Sequence, residues 1–253
     1  MDDQKGHLFV VGIGPGNLEE MTGRVRQALE QCEVVVGYQR YIDLIRPLID
    51  GKVVIESGMG KEQDRCAAAL REALTGKKVA LVSSGDAGIY GMAGIVLEIA
   101  QKKGIEDTGA IEIVPGVPGF VAAASLVGAP LMNDFASVSL SDILTPWETI
   151  ERRLAAAASG DFVTCLYNPK SAKRVRQIVL ARDIFLRFRD KETPCAVVRN
   201  AARPSQKVIT TTLEDMPFAD IDMMCIVIIG NSDTKAAGNW LITSRGYAIK
   251  GGV

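Results

Sequence analysis

Histidine is almost absent: the 253 residues contain one, His7. The five cysteines, Cys32, Cys66, Cys165, Cys195 and Cys225, are odd in number, scattered, and never spaced as C-x-x-C. Without a His/Cys cluster no metal centre is expected, and His7 reads as structural or solvated. The thiols read as reduced, buried small hydrophobes of a cytoplasmic chain. Aromatic residues make up only 6% of the chain. Charge of one sign is missing too, with 29 basic against 30 acidic side chains and a net charge of −1. That excludes nucleic-acid binding driven by phosphate contacts, while allowing a local basic pocket for an acidic small molecule. No apolar run reaches membrane-spanning length, and nothing reads as a signal peptide. The phosphate-binding pattern G-x-x-x-x-G-K-[ST] does not occur.

What is present is an ordinary globular composition, 47% hydrophobic and 23% charged, with strand and helix signals in alternation. In the first half, strands are expected over residues 8–12, 34–36, 52–55, 78–83 and 111–114. Helices are expected over 22–31, 63–74 and 95–102. This alternation predicts an α/β fold with a mostly parallel sheet covered by helices. The run Pro115-Gly116-Val117-Pro118-Gly119 is the best boundary, dividing the chain into α/β domains at residues 1–115 and 116–253. A small-residue helix follows over 120–127. The second half repeats the α/β pattern, with strands over 136–140, 162–166, 195–198, 208–212 and 224–229, and helices over 147–158 and 171–188. The polar start at 1–5 reads as frayed and the tail at 250–253 as mobile.

Four glycine- or proline-rich loops each follow a strand, where ligands gather in open α/β sheets. The first is Gly12-Ile13-Gly14-Pro15-Gly16-Asn17. It is not a dinucleotide fingerprint: G-x-G-x-x-G needs glycine where Asn17 stands. No acid for a ribose follows at the next strand end, Val35-Val36-Gly37-Tyr38-Gln39-Arg40. Both facts count against an NAD(P)-dependent oxidoreductase, which stays as an alternative from another class, beside a non-catalytic ligand-binding module. The second loop is Ser83-Ser84-Gly85-Asp86-Ala87-Gly88-Ile89-Tyr90-Gly91, with a carboxylate among glycines. Asp86 reads either as a ligand contact or as a turn-capping residue. The third loop is residues 115–119, and the fourth is Leu166-Tyr167-Asn168-Pro169-Lys170-Ser171. The run Lys170, Lys173, Arg174 and Arg176 is placed at a helix start, as a solvated face or as a site for substrate carboxylates. Arg199, ending an apolar strand, is expected to face a cleft.

Taken together in this order, Gly12 to Asn17, Ser84-Gly85-Asp86 and Val114 to Gly119 resemble the S-adenosylmethionine-dependent tetrapyrrole methylases, over about residues 8–230. Val36-Gly37-Tyr38-Gln39-Arg40-Tyr41, Ser57-Gly58-Met59-Gly60 and Leu166 to Ser171 are similar to the branch that methylates C17 of precorrin-3B or cobalt-factor III. The resemblance implies two α/β domains with a cofactor cleft between them, commonly in a homodimer, and S-adenosylmethionine as cofactor with S-adenosylhomocysteine as product. It implies cofactor contacts at Pro15, Gly85, Asp86, Ala87, Ile89, Pro118, Gly119, Asn168 and Ala201. Substrate contacts are expected at Gly14, Gly16, Lys170 and Arg199. Tyr38, Tyr90 and Lys61 are candidates for proton handling in ring contraction. Tyr38 stands where relatives acting on uroporphyrinogen carry an acid, and Lys61 is offset by about one residue from their lysine. A methylase acting at another tetrapyrrole carbon is the near alternative.

Overall fold

Strand β1 (His7–Gly12) shows how the first half folds. Its residues are apolar on both sides, as a strand covered on two faces requires. Leu8 and Val10 enter one core; Phe9, Val11 and Ile13 enter another. The chain continues through α1 (Gly23–Gln31), β2 (Val34–Tyr38), α2 (Gln39–Ile45), β3 (Val53–Ser57), α3 (Glu62–Leu74), β4 (Lys78–Ser83), α4 (Ala93–Lys102) and β5 (Ile111–Val114). The computed structural model describes residues 6–105 and 110–247. The start and tail expected to fray, 1–5 and 250–253, lie outside them. The strands pair in the order β3-β2-β4-β1-β5, and every pairing is parallel. Helix α1 buries Val25, Ala28 and Leu29 on one face of the sheet. Helices α3 and α4 bury Cys66, Ala69, Leu70, Ala73, Val96 and Ala100 on the other. This half matches the expected alternation, with α2 as an added helix.

The chain divides into two units, Met1–Gly119 and Phe120–Val253. The division falls at 119 rather than 115 because the proline- and glycine-rich stretch packs on the first unit. An added Cβ at Gly116 would lie 2.1 Å from the Gly12 carbonyl oxygen and 2.3 Å from that of Gly85.

The second half contains α5 (Gly119–Leu126), β6 (Gly128–Ala129), β7 (Phe135–Ser139), α6 (Trp147–Ser159), β8 (Val163–Tyr167), α7 (Gln177–Phe185), β9 (Pro194–Arg199), β10 (Lys207–Thr212), β11 (Cys225–Ile229), β12 (Thr234–Ala237) and β13 (Trp240–Thr243). Its main sheet runs β10-β9-β11-β8-β7, and only the β7/β8 pair is parallel. The repeat of the first half's pattern therefore stops after α7. Residues 200–206 are too few for a helical crossover, so β9 and β10 pair antiparallel. The link from β10 to β11 holds only a single 3-10 turn, Phe218–Asp220. Helices α6 and α7 cover one face of this sheet around Leu154, Ile178, Phe185 and Val197. A small sheet, β12-β13-β6, was not foreseen.

One expected helix is corrected at its start. It begins at Gln177, not 171. The Ser171 hydroxyl accepts from the Arg174 backbone N–H at 3.1 Å, while Ser171 N–H donates to the Arg174 carbonyl at 2.9 Å. That local turn competes successfully with the helix. The basic run is thus a turn rather than a helix start, and Arg174 is buried within it.

Candidate functional site

The connection after β1 goes to α1 on one face of the first sheet, and the connection after β4 goes to α4 on the other. β1 and β4 are neighbours, so their carboxyl ends flank the point where the winding reverses, the usual ligand crevice of such sheets. The first two loops sit there. Gly14 N–H donates to the Gly85 carbonyl at 3.1 Å, and Gly85 N–H returns a bond to the Gly14 carbonyl at 2.7 Å. Both glycines hold positive φ, 82° and 66°, which L side chains adopt only with strain. The third loop closes on this bridge through Gly116. Three distant motifs therefore meet in one apex of bare backbone.

Asp86 fastens the apex. One carboxylate oxygen accepts from Gly88 N–H at 2.8 Å, the other from Gly116 N–H at 3.0 Å. It is thus both the turn residue considered from the sequence and a tie to a loop thirty residues away. Ala87 is fully buried, and its carbonyl accepts from Ala93 N–H at 3.0 Å, at the start of α4. Pro15 is buried, while Gly16, Ile89, Pro118 and Gly119 are partly exposed along the same loops. Asn17, which breaks the dinucleotide pattern, accepts from Glu20 N–H at 3.0 Å and so closes its own turn.

Beside the apex lies a pocket of about 180 Å³ at the carboxyl ends of β2 and β4. Tyr38 and Tyr90 both line it, together with Tyr41, Glu62 and Arg65. Tyr90 holds a positive φ of 54°. Lys61 is not among the lining residues; it is exposed and pairs with Asp64 at 3.4 Å. Of the three proton-handling candidates, the structure brings two together. Arg65 is the lining residue that sequence reasoning missed. It falls one turn before Ala69 and two before Ala73, both buried in α3. A charged residue in the apolar stripe of a helix was the available signal.

The remaining candidates belong to the second unit. Asn168 follows β8 with φ 50°, and its side-chain amide donates to the Ser139 hydroxyl at 3.0 Å. The buried Arg174 guanidinium donates to the Asn168 carbonyl at 2.8 Å, holding that turn from beneath. Ala201 follows β9 between Asn200 and Ala202, both with positive φ. Lys170 Nζ donates to the Phe218 carbonyl at 2.6 Å, and Arg199 pairs with Asp222 at 2.9 Å. Both cations expected to meet substrate carboxylates are thus already engaged by the protein.

The cysteines are all free and buried. Burial pushes the thiols of Cys165 and Cys195 up to about 12, so neither supplies a thiolate nucleophile near neutrality. Among the described residues no cluster of His, Cys, Asp and Glu could hold a metal ion, and no helix is long and apolar enough to cross a membrane.

An α/β unit whose glycine loops converge at a sheet's switch point has the ligand-binding arrangement of doubly wound enzymes. Residues 7–217 match the family model described as Tetrapyrrole (Corrin/Porphyrin) Methylases, and the chain belongs to that family. A protein of Salmonella typhimurium named probable cobalt-factor III C(17)-methyltransferase is 46% identical over 242 residues, covering 96% of this chain and 100% of that one. The cobalt-factor III methyltransferase of Priestia megaterium is also 46% identical, over 97% of this chain, which spans only 46% of that longer protein. Among solved structures, the methyltransferase CobJ is similar with a TM-score of 0.90 and 34% identity, covering 94% of this chain and 100% of that one.

Proposed function

We propose that this chain is an S-adenosylmethionine-dependent C-methyltransferase that methylates C17 of precorrin-3B or cobalt-factor III, coupled to ring contraction, in cobalamin biosynthesis. The observation that carries the reading is the 46% identity with the Salmonella protein, end to end on that protein. The apex fits the cofactor in kind. Its Cβ-free glycines let a ligand approach backbone donors and acceptors closely, and Asp86 holds the loops in register. On this reading Pro15, Gly85, Asp86, Ala87, Ile89, Pro118 and Gly119 hold the cofactor, joined by Asn168 and Ala201. Asp86 orders the loop backbone, each of its oxygens accepting one loop N–H. The cofactor supplies a methyl group already made electrophilic by its sulfonium.

What the chain adds is placement. Gly14 and Gly16 form a wall without side chains, and Tyr38 and Tyr90 offer phenol hydroxyls from one pocket for hydrogen bonding or proton movement at the macrocycle. Lys61, exposed and paired with Asp64, stays a third candidate for proton handling. A homodimer in the cytoplasm belongs to the same reading. The test is incubation with isotopically labelled methyl donor and precorrin-3B or cobalt-factor III, with the product read by mass and NMR. Label on C17 supports the proposal; label on another ring carbon replaces it with a neighbouring methylase activity.

A further inference from the structure

Arg65 is a buried cation on α3, away from the glycine apex's own hydrogen bonds. Its side chain is 5% exposed. Nη1 donates to Ser57 Oγ at 3.0 Å and to the Gly58 carbonyl at 2.8 Å, and Nη2 donates to Glu62 at 3.1 Å. A guanidinium carries five N–H donors, more than these three bonds use. Glu62, its one acidic partner, is 40% exposed, so the pair is buried on the cationic side only. A charge held out of water in this way favours a second, well-desolvated anionic partner. The surroundings suit one. Among the described residues Arg65 is the one cation lining the 180 Å³ pocket, whose other polar lining comes from Glu62, the tyrosines Tyr38, Tyr41 and Tyr90, and Ser83 and Ser84. The guanidinium lies 5.8 Å from the centre of the Tyr38 ring, which holds it in place without neutralising it. Pockets that take a whole small-molecule ligand run to about 300–1,000 Å³, so this one has the size of one arm of a ligand rather than of a macrocycle.

We propose that this pocket is a carboxylate subsite, in which Arg65 receives one acidic arm of the macrocycle and so sets its orientation over the apex. The inference rests on the proposed function, because it takes the macrocycle as substrate. Arg65 takes the part that Lys170 and Arg199 were expected to play. Glu62 then acts as a counter-charge that competes with the incoming carboxylate for the same guanidinium. This gives the two residues opposite signs: removing the arginine weakens macrocycle binding, and neutralising the glutamate strengthens it. A merely structural ion pair would lose from either change.

The test titrates the full chain with cobalt-factor III by absorbance, for wild type, Arg65→Met, Arg65→Lys and Glu62→Gln, with S-adenosylhomocysteine affinity measured by calorimetry on each as a check of folding. The expected result is at least tenfold weaker macrocycle binding in Arg65→Met, partial recovery in Arg65→Lys, and tighter binding in Glu62→Gln. S-adenosylhomocysteine affinity should stay within about twofold throughout. Equal macrocycle affinity in wild type and Arg65→Met overturns the subsite and leaves the methyltransferase reading standing. Weakening by Glu62→Gln as well as Arg65→Met also overturns it, in favour of a structural pair. A wild type that binds S-adenosylhomocysteine but no macrocycle overturns the functional reading and the subsite with it.

Discussion

The two units use loops at strand ends in different ways. In the first, three loops from an all-parallel sheet meet at the β1/β4 reversal and are joined by backbone bonds, Gly14 to Gly85, and by the Asp86 bridge to Gly116. In the second, from a largely antiparallel sheet, the Asn168 turn is braced by the Ser139 and Arg174 side chains, and the turn after β9 by bonds within itself and to Met224, with Asn200 N–H on the Met224 carbonyl and Ala202 N–H on the Gln206 side chain. Packed backbone leaves no room for change, whereas a side-chain brace leaves alternatives. The parallel unit's apex is over-determined, whereas the Asn168 turn of the antiparallel unit is adjustable.

Substitutions can break or sharpen that contrast. The largest effect is expected for Gly116→Ala, since the new Cβ would meet two carbonyl oxygens at 2.1 and 2.3 Å, neither on a flexible side chain. A loss of about 3 kcal/mol in urea unfolding is expected, as for overpacked interiors, together with loss of S-adenosylhomocysteine binding. Next comes Asp86→Ala, which strands Gly88 and Gly116 N–H groups; it should cost about 1–3 kcal/mol in cofactor affinity by calorimetry. An unchanged affinity would show that the apex holds without its tie. The smallest effect is expected in the second unit. Asn168→Ala removes the bond to Ser139 and places a less tolerant residue at φ 50°, costing about 1 kcal/mol of stability, while Asn168→Gly should recover most of it. If Asn168→Ala proved as damaging as Gly116→Ala, the contrast between the units would fail.

The same contrast explains what could be read in advance. The first unit's strands were legible because each is short, apolar and bounded by turn residues, and its helices follow a 3.6-residue stripe. The pairing order and the contact between Gly116 and Gly12 were not, because no local pattern encodes which loops touch. Asp86 was legible as a turn residue, but its second bond spans thirty residues. In the second unit the main sheet's strands were legible, the small β12-β13-β6 sheet was not, and neither was strand direction, since β9 and β10 look alike in either sense until the length of residues 200–206 is weighed. Residues 171–176 read as helix from composition, yet Ser171 binds the Arg174 backbone instead. Arg65 was not singled out because no motif marks it; only its burial beside Cys66 and Ala69 in α3 does.

On the proposed function, the apex of Gly14, Gly85, Asp86 and Gly116 holds a sulfonium cofactor. Calorimetric titration of the wild-type chain with S-adenosylhomocysteine and, separately, with NAD tests it most directly. The account predicts one saturable site with micromolar affinity for S-adenosylhomocysteine and no heat from NAD. Saturable NAD binding with none for S-adenosylhomocysteine would contradict it.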